Sequence, residues 1–159
     1  NSASGGDSSA VDGFAVGEFL KNNEKEIFDT LVRVPLKFRD MDYTQESHRG
    51  FHAPAISLTK DGDFHDIRFS IATMDVLDCR PDLMEKVYKA HRRFGKLLHD
   101  EKFQINFRLG PGDIYSFNNR RILHGRTAFD PNSGHRHLQG YYMDRDEIIG
   151  RLNFLKKNS

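Results

Sequence analysis

The sequence predicts a mainly β fold with flanking helices, and three observations support this prediction. Apolar and polar residues alternate in short segments of the C-terminal third, which is typical of strands with one buried face. Apolar residues three and four positions apart mark helices near the start, middle and end of the chain. The 159 residues, 37% of them hydrophobic, suffice for one domain. The strand order of the last third fits one wall of a β-sandwich or jelly roll.

The first half of the chain contains five predicted elements. Residues 8–14, SSAVDGF, indicate a short strand that Gly13 ends. Residues 16–38 indicate two short helices, broken near Asn22 and Asn23, and the second is stopped by Pro35. Residues 55–73 indicate two strands around a turn at Asp61-Gly62.

The second half begins with the clearest helix. Pro81 fits a first helical position, and an apolar stripe follows it at Leu83, Val87, His91, Phe94 and Leu98. Residues 102–109, 121–129 and 136–143 then predict strands, and residues 144–155 a closing helix with Asp144 as its cap.

Composition argues against several classes of protein. Lysines and arginines number 24 and acidic residues 23, and no basic stripe stands out, so we expect no nucleic-acid partner. No apolar run approaches the roughly 20 residues that span a bilayer, so we expect no membrane partner. The single cysteine, Cys79, leaves no internal disulfide and fits a reducing compartment.

His124 differs in its setting from most of the eight histidines. His48, His52, His65, His91 and His99 are expected to be exposed or simply hydrogen-bonded. His124 lies in a predicted strand, where it shares a face with Ile122 and Arg126. In the next predicted strand, Arg136 and Tyr142 share a face, so an imidazole, a guanidinium and a phenol could line one cavity. Periodicity alone favours a plainer alternative, a β-sandwich with a hydrogen-bonded histidine and a surface arginine.

Chemistry gives this trio a second interpretation. Non-haem Fe(II) oxygenases hold iron with two histidines and one carboxylate, which leaves positions open for a 2-oxo acid and oxygen. A 2-oxo acid with a second carboxylate also needs a cationic anchor, and arginine pairs with carboxylate in a bidentate way. Spacing alone is weak support, because many proteins place histidine and arginine about a dozen residues apart.

The segments FNNRRILHGR, RHLQGYYMDRDEIIGRLNFL and GGDSSAVDGF together resemble one known family. It is the γ-butyrobetaine and trimethyllysine dioxygenase family of taurine-dioxygenase-like oxygenases, and the resemblance runs from Gly5 to about Leu155. It implies a double-stranded β-helix, or jelly roll. It also implies His124 as the distal iron ligand, Arg136 and Ser8 as contacts of 2-oxoglutarate, and Tyr142 as part of an aromatic cage around a trimethylammonium group.

The resemblance further implies an activity and its cofactors. These are Fe(II)- and 2-oxoglutarate-dependent hydroxylation, most simply of γ-butyrobetaine to L-carnitine, with ascorbate as a further candidate cofactor. It implies a homodimer, in the cytoplasm or, alternatively, the mitochondrial matrix. Trimethyllysine or another acid is an alternative substrate. A non-catalytic scaffold that kept the fold is an alternative of another class.

Departures from the family pattern limit these expectations. No histidine is followed two residues later by aspartate, so the His-x-Asp pair of the iron site is absent. Residues 1–159 are therefore expected to be the C-terminal portion of one oxygenase catalytic domain, inactive alone. The family's DNWR reads Asn118-Asn119-Arg120-Arg121, and a substrate-holding F-N-N reads Phe69-Ser70-Ile71. These changes put substrate identity, rather than reaction class, in question.

Overall fold

A computed structural model describes residues 3–42, 44 and 46–158, with helices and strands in mixed order. The elements are β1 (Ser8–Asp12), α1 (Gly13–Asn23), α2 (Lys25–Arg33), β2 (Leu36–Asp42), β3 (Ser47–Ala53), β4 (Ile56–Leu58), β5 (Phe64–Ile67), α3 (Pro81–Leu98), β6 (Gln104–Phe107), β7 (Ile122–Arg126) and α4 (Arg145–Lys157). Helices hold more of the described residues than strands do, so the fold is mixed rather than mainly β. None of the described helices is long and apolar enough to cross a membrane.

The described residues form three antiparallel sheets, and β1 is the central strand of the largest. That sheet has the order β6-β1-β7, and the other two are the hairpins β2-β3 and β4-β5. In the large sheet Ala10 of β1 lies opposite both Ile105 of β6 and His124 of β7. Because opposed residues project to the same face, the register fixes which side chains His124 accompanies.

The core lies where helices α1, α2 and α3 pack together and against one side of the strands. Its largest fully buried side chains are Phe94, Leu20, Ile56 and Val16. Val11 of β1 is also buried and Leu123 of β7 packs against the core, so the large sheet turns this face towards the helices. His124 and Ala10, one position away on each strand, therefore lie on the opposite face.

Asp12 joins the end of β1 to the start of α1. Its carboxylate accepts hydrogen bonds from the backbone N–H groups of Phe14 and Ala15 at 3.0 and 3.4 Å, which caps the helix. It also accepts from Arg121 Nε at 3.0 Å, just before β7. One carboxylate thus fixes a helix start and the entry of the strand that carries His124.

Most of the predicted elements are present. The strand before Gly13, the helix break after Asn23, the hairpin around Asp61-Gly62 and the helix that begins at Pro81 are confirmed. The Asp144 cap is also confirmed, since its side chain accepts a hydrogen bond from Asp146 N at 2.9 Å.

One hairpin was not predicted, and one predicted strand was wrong. The β2-β3 hairpin was not predicted, although Leu36 and Phe38 alternate with charged residues and are buried. The strand predicted at residues 136–143 does not form. Alternation indicates which residues could share a face, but a strand also needs a neighbour for its backbone hydrogen bonds. No ladder joins residues 136–143 to any other described segment.

Candidate active site

His124 and Ser8 lie on the same face of the large sheet. His124 is opposite Ala10, and Arg126 is opposite Ser8, so Ser8 and His124 are diagonal neighbours on adjacent strands. Such neighbours are about 7–8 Å apart. The predicted sharing of one face by Ile122, His124 and Arg126 is confirmed. The imidazole of His124 is exposed, and its ring centre lies 4.6 Å from that of Phe117.

Aromatic rings form a row beside His124. Tyr115 lies between Phe107 of β6 and Phe117, with ring centres 4.8 and 4.6 Å away, and Phe117 then contacts the imidazole. Burial raises the pKa of the Tyr115 phenol, so it stays neutral and can donate a hydrogen bond at ordinary pH. This row gives one side of the imidazole an apolar wall.

Arg136 is placed by packing rather than by a strand. Its guanidinium carbon lies 5.6 Å from the ring centre of Phe129, and the same ring has Arg126 at 4.6 Å. The Nε atom of Arg136 is buried and has no hydrogen-bond partner among the described residues. A buried N–H group without an acceptor costs free energy, so this atom is suited to a ligand that supplies one.

The GGDS segment packs closely against the side chain of Arg136. Gly5 and Gly6 have φ angles of +72° and +74°, a conformation that favours glycine. A Cβ atom at Gly6 would lie 3.2 Å from Arg136 Nε. Gly6 N donates to Ala128 O at 3.0 Å, which joins this segment to the chain just beyond β7. Gly6 thus lets the backbone approach the arginine closely, and Gly5 lets it approach the backbone of Ala128.

A cavity of about 810 Å³ opens beside the sheet, and two of the predicted site residues line it. They are His124 and Tyr142, and Phe69 and Ser70 lie in the same lining. Ser8 and Arg136 are not part of it. The predicted meeting of imidazole, guanidinium and phenol in one hollow is therefore only partial. Tyr142 is 83% exposed, so its ring is open to a ligand in the cavity.

Asp66 is the buried acid of this cavity, with 7% of its surface exposed. Burial raises the pKa of its carboxyl group, while the charges of Arg68, Arg120 and His65 act in the opposite direction. Arg68 forms an ion pair with Asp66 and donates to Ser57 Oγ at 2.9 Å. The acid and Arg68 thus hold each other in place.

Sequence reasoning missed three features of the site. It gave no role to Arg126 or Phe129, although arginine beside an aromatic residue is a readable cation–π signal. It also passed over His99-Asp100-Glu101, in which an acid does follow a histidine at the spacing of a ligand pair. His99 Nδ1 lies 2.8 Å from the carbonyl oxygen of Gly95, at the end of α3.

The described residues do not by themselves fit an iron ion. In residues 3–42, 44 and 46–158, no three histidine, cysteine or acidic side chains lie close enough together to hold a metal. His99 and Glu101 thus form no ligand set with His124. The cationic pair of Arg126 and Arg136, by contrast, fits a carboxylate.

Comparison with known proteins decides the family. Residues 1–142 match the family described as "Taurine catabolism dioxygenase TauD, TfdA family". The chain belongs to the TauD/TfdA family. The resemblance inferred from the GGDS, LHGR and RHLQGYY segments is thereby confirmed. Relatives of the chain are named γ-butyrobetaine dioxygenase and trimethyllysine dioxygenase.

Three relatives of this TauD/TfdA member illustrate the similarity. The chain is 38% identical over 157 residues to a γ-butyrobetaine dioxygenase of Pseudomonas sp. (strain AK-1), covering 99% of the chain and 40% of the relative. It is 34% identical over 157 residues to the human γ-butyrobetaine dioxygenase, covering 96% of the chain and 40% of the relative. It is 29% identical over 154 residues to a trimethyllysine dioxygenase of Meyerozyma guilliermondii, covering 95% of the chain and 38% of the relative. The chain therefore spans about two fifths of the length of these relatives, which are dioxygenases.

Proposed function

We propose that this chain contributes the distal metal-binding imidazole and the cosubstrate anchor of an Fe(II)- and 2-oxoglutarate-dependent hydroxylase. The substrate would be a trimethylammonium amino acid, and γ-butyrobetaine, converted to L-carnitine, is the first candidate. Relatives named γ-butyrobetaine dioxygenase have higher identity, 38% and 34%, than the trimethyllysine dioxygenase at 29%. The family's jelly-roll fold and a cytoplasmic location, with the mitochondrial matrix as the alternative, belong to the same proposal.

The observation that carries the proposal is the cationic group around Phe129. Arg136 keeps a buried Nε without a partner in the described part of the chain, and Arg126 stacks on the same ring. Two guanidiniums without an ion pair in the described part of the chain suit a dicarboxylate such as 2-oxoglutarate. Ser8, opposite Arg126 on β1, would add a hydroxyl donor for the same cosubstrate.

His124 would hold the metal together with ligands outside the described set. Its diagonal position to Ser8 places it near the proposed cosubstrate contacts. A bound Fe(II) ion would supply the oxidising chemistry, and one imidazole is not enough to hold it. The chain's own residues would bind and orient the organic ligands and exclude water. Tyr142, exposed in the cavity, would place its ring against the trimethylammonium group.

The homodimer belongs to the proposal as well. Helix α4 has no buried residue, and Ile148, Leu152 and Leu155, which share one face at helical spacing, are each 48% exposed. A contact between copies through this face would remove that apolar surface from water. Light scattering of the wild type and of Leu152→Glu tests it: a dimer that becomes a monomer in the variant supports the contact, and an unchanged mass refutes it.

The activity is tested on the complete gene product. Succinate release is measured with Fe(II), 2-oxoglutarate and ascorbate, with γ-butyrobetaine or trimethyllysine as substrate. We expect turnover in the wild type, and a loss of at least 100-fold in His124→Ala. Arg136→Gln should raise the Kd of 2-oxoglutarate about 10- to 100-fold. His137→Ala is the matched control, because it removes an exposed imidazole next to Arg136.

The results separate the alternatives. Turnover of trimethyllysine but not of γ-butyrobetaine would show that the substrate is that of the trimethyllysine dioxygenases. If 2-oxoglutarate binds but neither substrate is turned over, and His124→Ala changes nothing, the non-catalytic scaffold is favoured. Binding of 2-oxoglutarate that is equal in the wild type and in Arg136→Gln would refute the anchor.

A further inference from the structure

The cavity beside the sheet has one chemical feature that the proposed function leaves unused. Its lining contains two guanidinium groups, Arg68 and Arg120, but a single described carboxylate, Asp66. Aromatic rings, including Phe69 and Tyr142, line it too. Its volume of about 810 Å³ is in the range of small-molecule sites, which are mostly apolar with a few placed polar groups.

Arg68 is already committed to the protein. It forms an ion pair with Asp66, and its Nη1 donates to Ser57 Oγ at 2.9 Å. Asp66 is 7% exposed, so the carboxylate of this pair is shielded from solvent. A ligand that took Arg68 would leave Asp66 buried without its partner, which is costly.

Arg120 has no such partner. No carboxylate in the described part of the chain lies within ion-pair distance of its guanidinium, although its charge acts on the pKa of Asp66. Its backbone is nonetheless fixed. Arg120 N donates to Asn118 Oδ1 at 3.0 Å, and its carbonyl accepts from Ile67 N at 2.9 Å, which ties residue 120 to the end of β5. Arg120 therefore lines the cavity from a positioned backbone, and its exposed side chain forms no ion pair within the described part of the chain.

We propose that Arg120 binds the carboxylate of the small-molecule substrate in this cavity. The two ends of the ligand would contact different groups. Its carboxylate would pair with Arg120, and its quaternary ammonium would lie against the aromatic rings, including that of Tyr142. This inference rests on the proposed function for the identity of the ligand. It adds a specificity-determining contact, since a trimethylammonium compound without a carboxylate would lose it.

The test compares two ligands of similar shape by calorimetry on the complete gene product. γ-Butyrobetaine carries the carboxylate, and butyltrimethylammonium lacks it. The variants are Arg120→Gln, which removes the charge, and Arg120→Lys, which keeps it without the planar fork. Arg92→Gln is the control, because it changes net charge equally at an exposed position on α3 that lines a different groove. Circular dichroism checks that each variant is folded.

We expect Arg120→Gln to raise the Kd of γ-butyrobetaine about 10- to 100-fold, because the loss of a hydrogen bond to a charged group weakens binding by about that factor. The Kd of butyltrimethylammonium should stay within about twofold, and Arg120→Lys should give an intermediate loss for γ-butyrobetaine. Arg92→Gln should change neither. Equal losses for both ligands in Arg120→Gln, or no loss for γ-butyrobetaine, would overturn the inference.

Binding of 2-oxoglutarate separates this inference from the proposed function. If 2-oxoglutarate binding depends on Arg136 while γ-butyrobetaine binding ignores Arg120, only the inference fails. If γ-butyrobetaine binding depends on Arg120 but no 2-oxoglutarate binds, the proposed function fails and the carboxylate contact stands. A wild type that binds neither γ-butyrobetaine nor 2-oxoglutarate overturns both.

Discussion

Replacement of Gly6 by alanine tests how backbone and arginine are fitted together at the proposed anchor. At φ +74° an alanine costs about 1–2 kcal/mol because its Cβ approaches its own carbonyl oxygen. The new Cβ would also lie 3.2 Å from Arg136 Nε and from Phe129 Cβ, closer than ordinary contact. Arg136 is a long side chain and can move, whereas the Cβ of Phe129 moves only with its backbone. Crowding of this kind adds about 1–3 kcal/mol.

Gly62→Ala is the matched control for the backbone cost. Gly62 has φ +88°, and a Cβ atom there meets nothing within 4 Å. We therefore expect Gly62→Ala to lose only the 1–2 kcal/mol of backbone strain, roughly. The free energy of unfolding is measured by urea titration for wild type and both variants. Gly6→Ala should be the less stable variant by about 1–3 kcal/mol.

Ligand binding gives the second readout of the same pair. Displacement of Arg136 should raise the Kd of 2-oxoglutarate in Gly6→Ala about tenfold or more, the value of one charge-assisted contact, and leave it unchanged in Gly62→Ala. Equal stability losses in the two variants, together with equal affinities, would show that Gly6 is needed only for its φ angle. The close fit of Gly6 to Arg136 would then have no energetic consequence.

Three further predictions concern titration and the cavity. Burial acts to raise the pKa of Asp12, but Arg121 and two backbone N–H groups outweigh it, so the net pKa is lowered. Its stabilisation is therefore present above the ordinary value of 3.8 and lost as pH falls through the folded pKa. Asp12→Asn should cost about 0.5–1 kcal/mol at pH 7 in urea unfolding, and the cost should shrink as the pH falls below 3.8. Burial lowers the pKa of His91, which stacks on Phe69 at 4.8 Å, so its stabilisation falls as pH drops below 6.5. Wild type should lose stability relative to His91→Phe between pH 7 and pH 5, and a constant difference would contradict this. In the cavity, Tyr142→Phe should keep the Kd of γ-butyrobetaine within about twofold, whereas Tyr142→Leu should weaken it about 2- to 30-fold; equal effects would exclude a role for the ring.

Local patterns were enough to predict the elements that form from neighbouring residues. Helix α3 has a proline at its start and a continuous apolar stripe, so its position follows from residues 81–98 alone. The face of His124 followed from strand alternation, because β7 forms as a strand, although its partner is β1 rather than residues 136–143. His91 shows the limit of such reasoning. Its place in the apolar stripe was read correctly, yet it was expected to be simply exposed or hydrogen-bonded, and it stacks on Phe69 instead.

The surroundings of the two arginines could not be predicted, because they depend on contacts between distant parts of the chain. Arg136 was assigned to a strand, but its neighbours are Gly6 and Phe129. Arg120 was noted only as a departure from the family pattern. Its place at the cavity depends on the hydrogen bond from Ile67, more than 50 residues earlier. No pattern within a short window contains that information.

The central position of β1 explains why the proposed site depends on the whole described chain. Strand β1 pairs with β6 on one side and β7 on the other, about 100 residues away in sequence. Ahead of it, Gly6 and Asp7 bond to residues 127 and 128, and at its end Asp12 bonds to Arg121. These contacts hold both ends of the segment that carries His124, Arg126 and Phe129. The entropy cost of closing loops of this length is offset only when many contacts form together. The imidazole and its cationic neighbours should therefore become ordered in one cooperative step with the sheet.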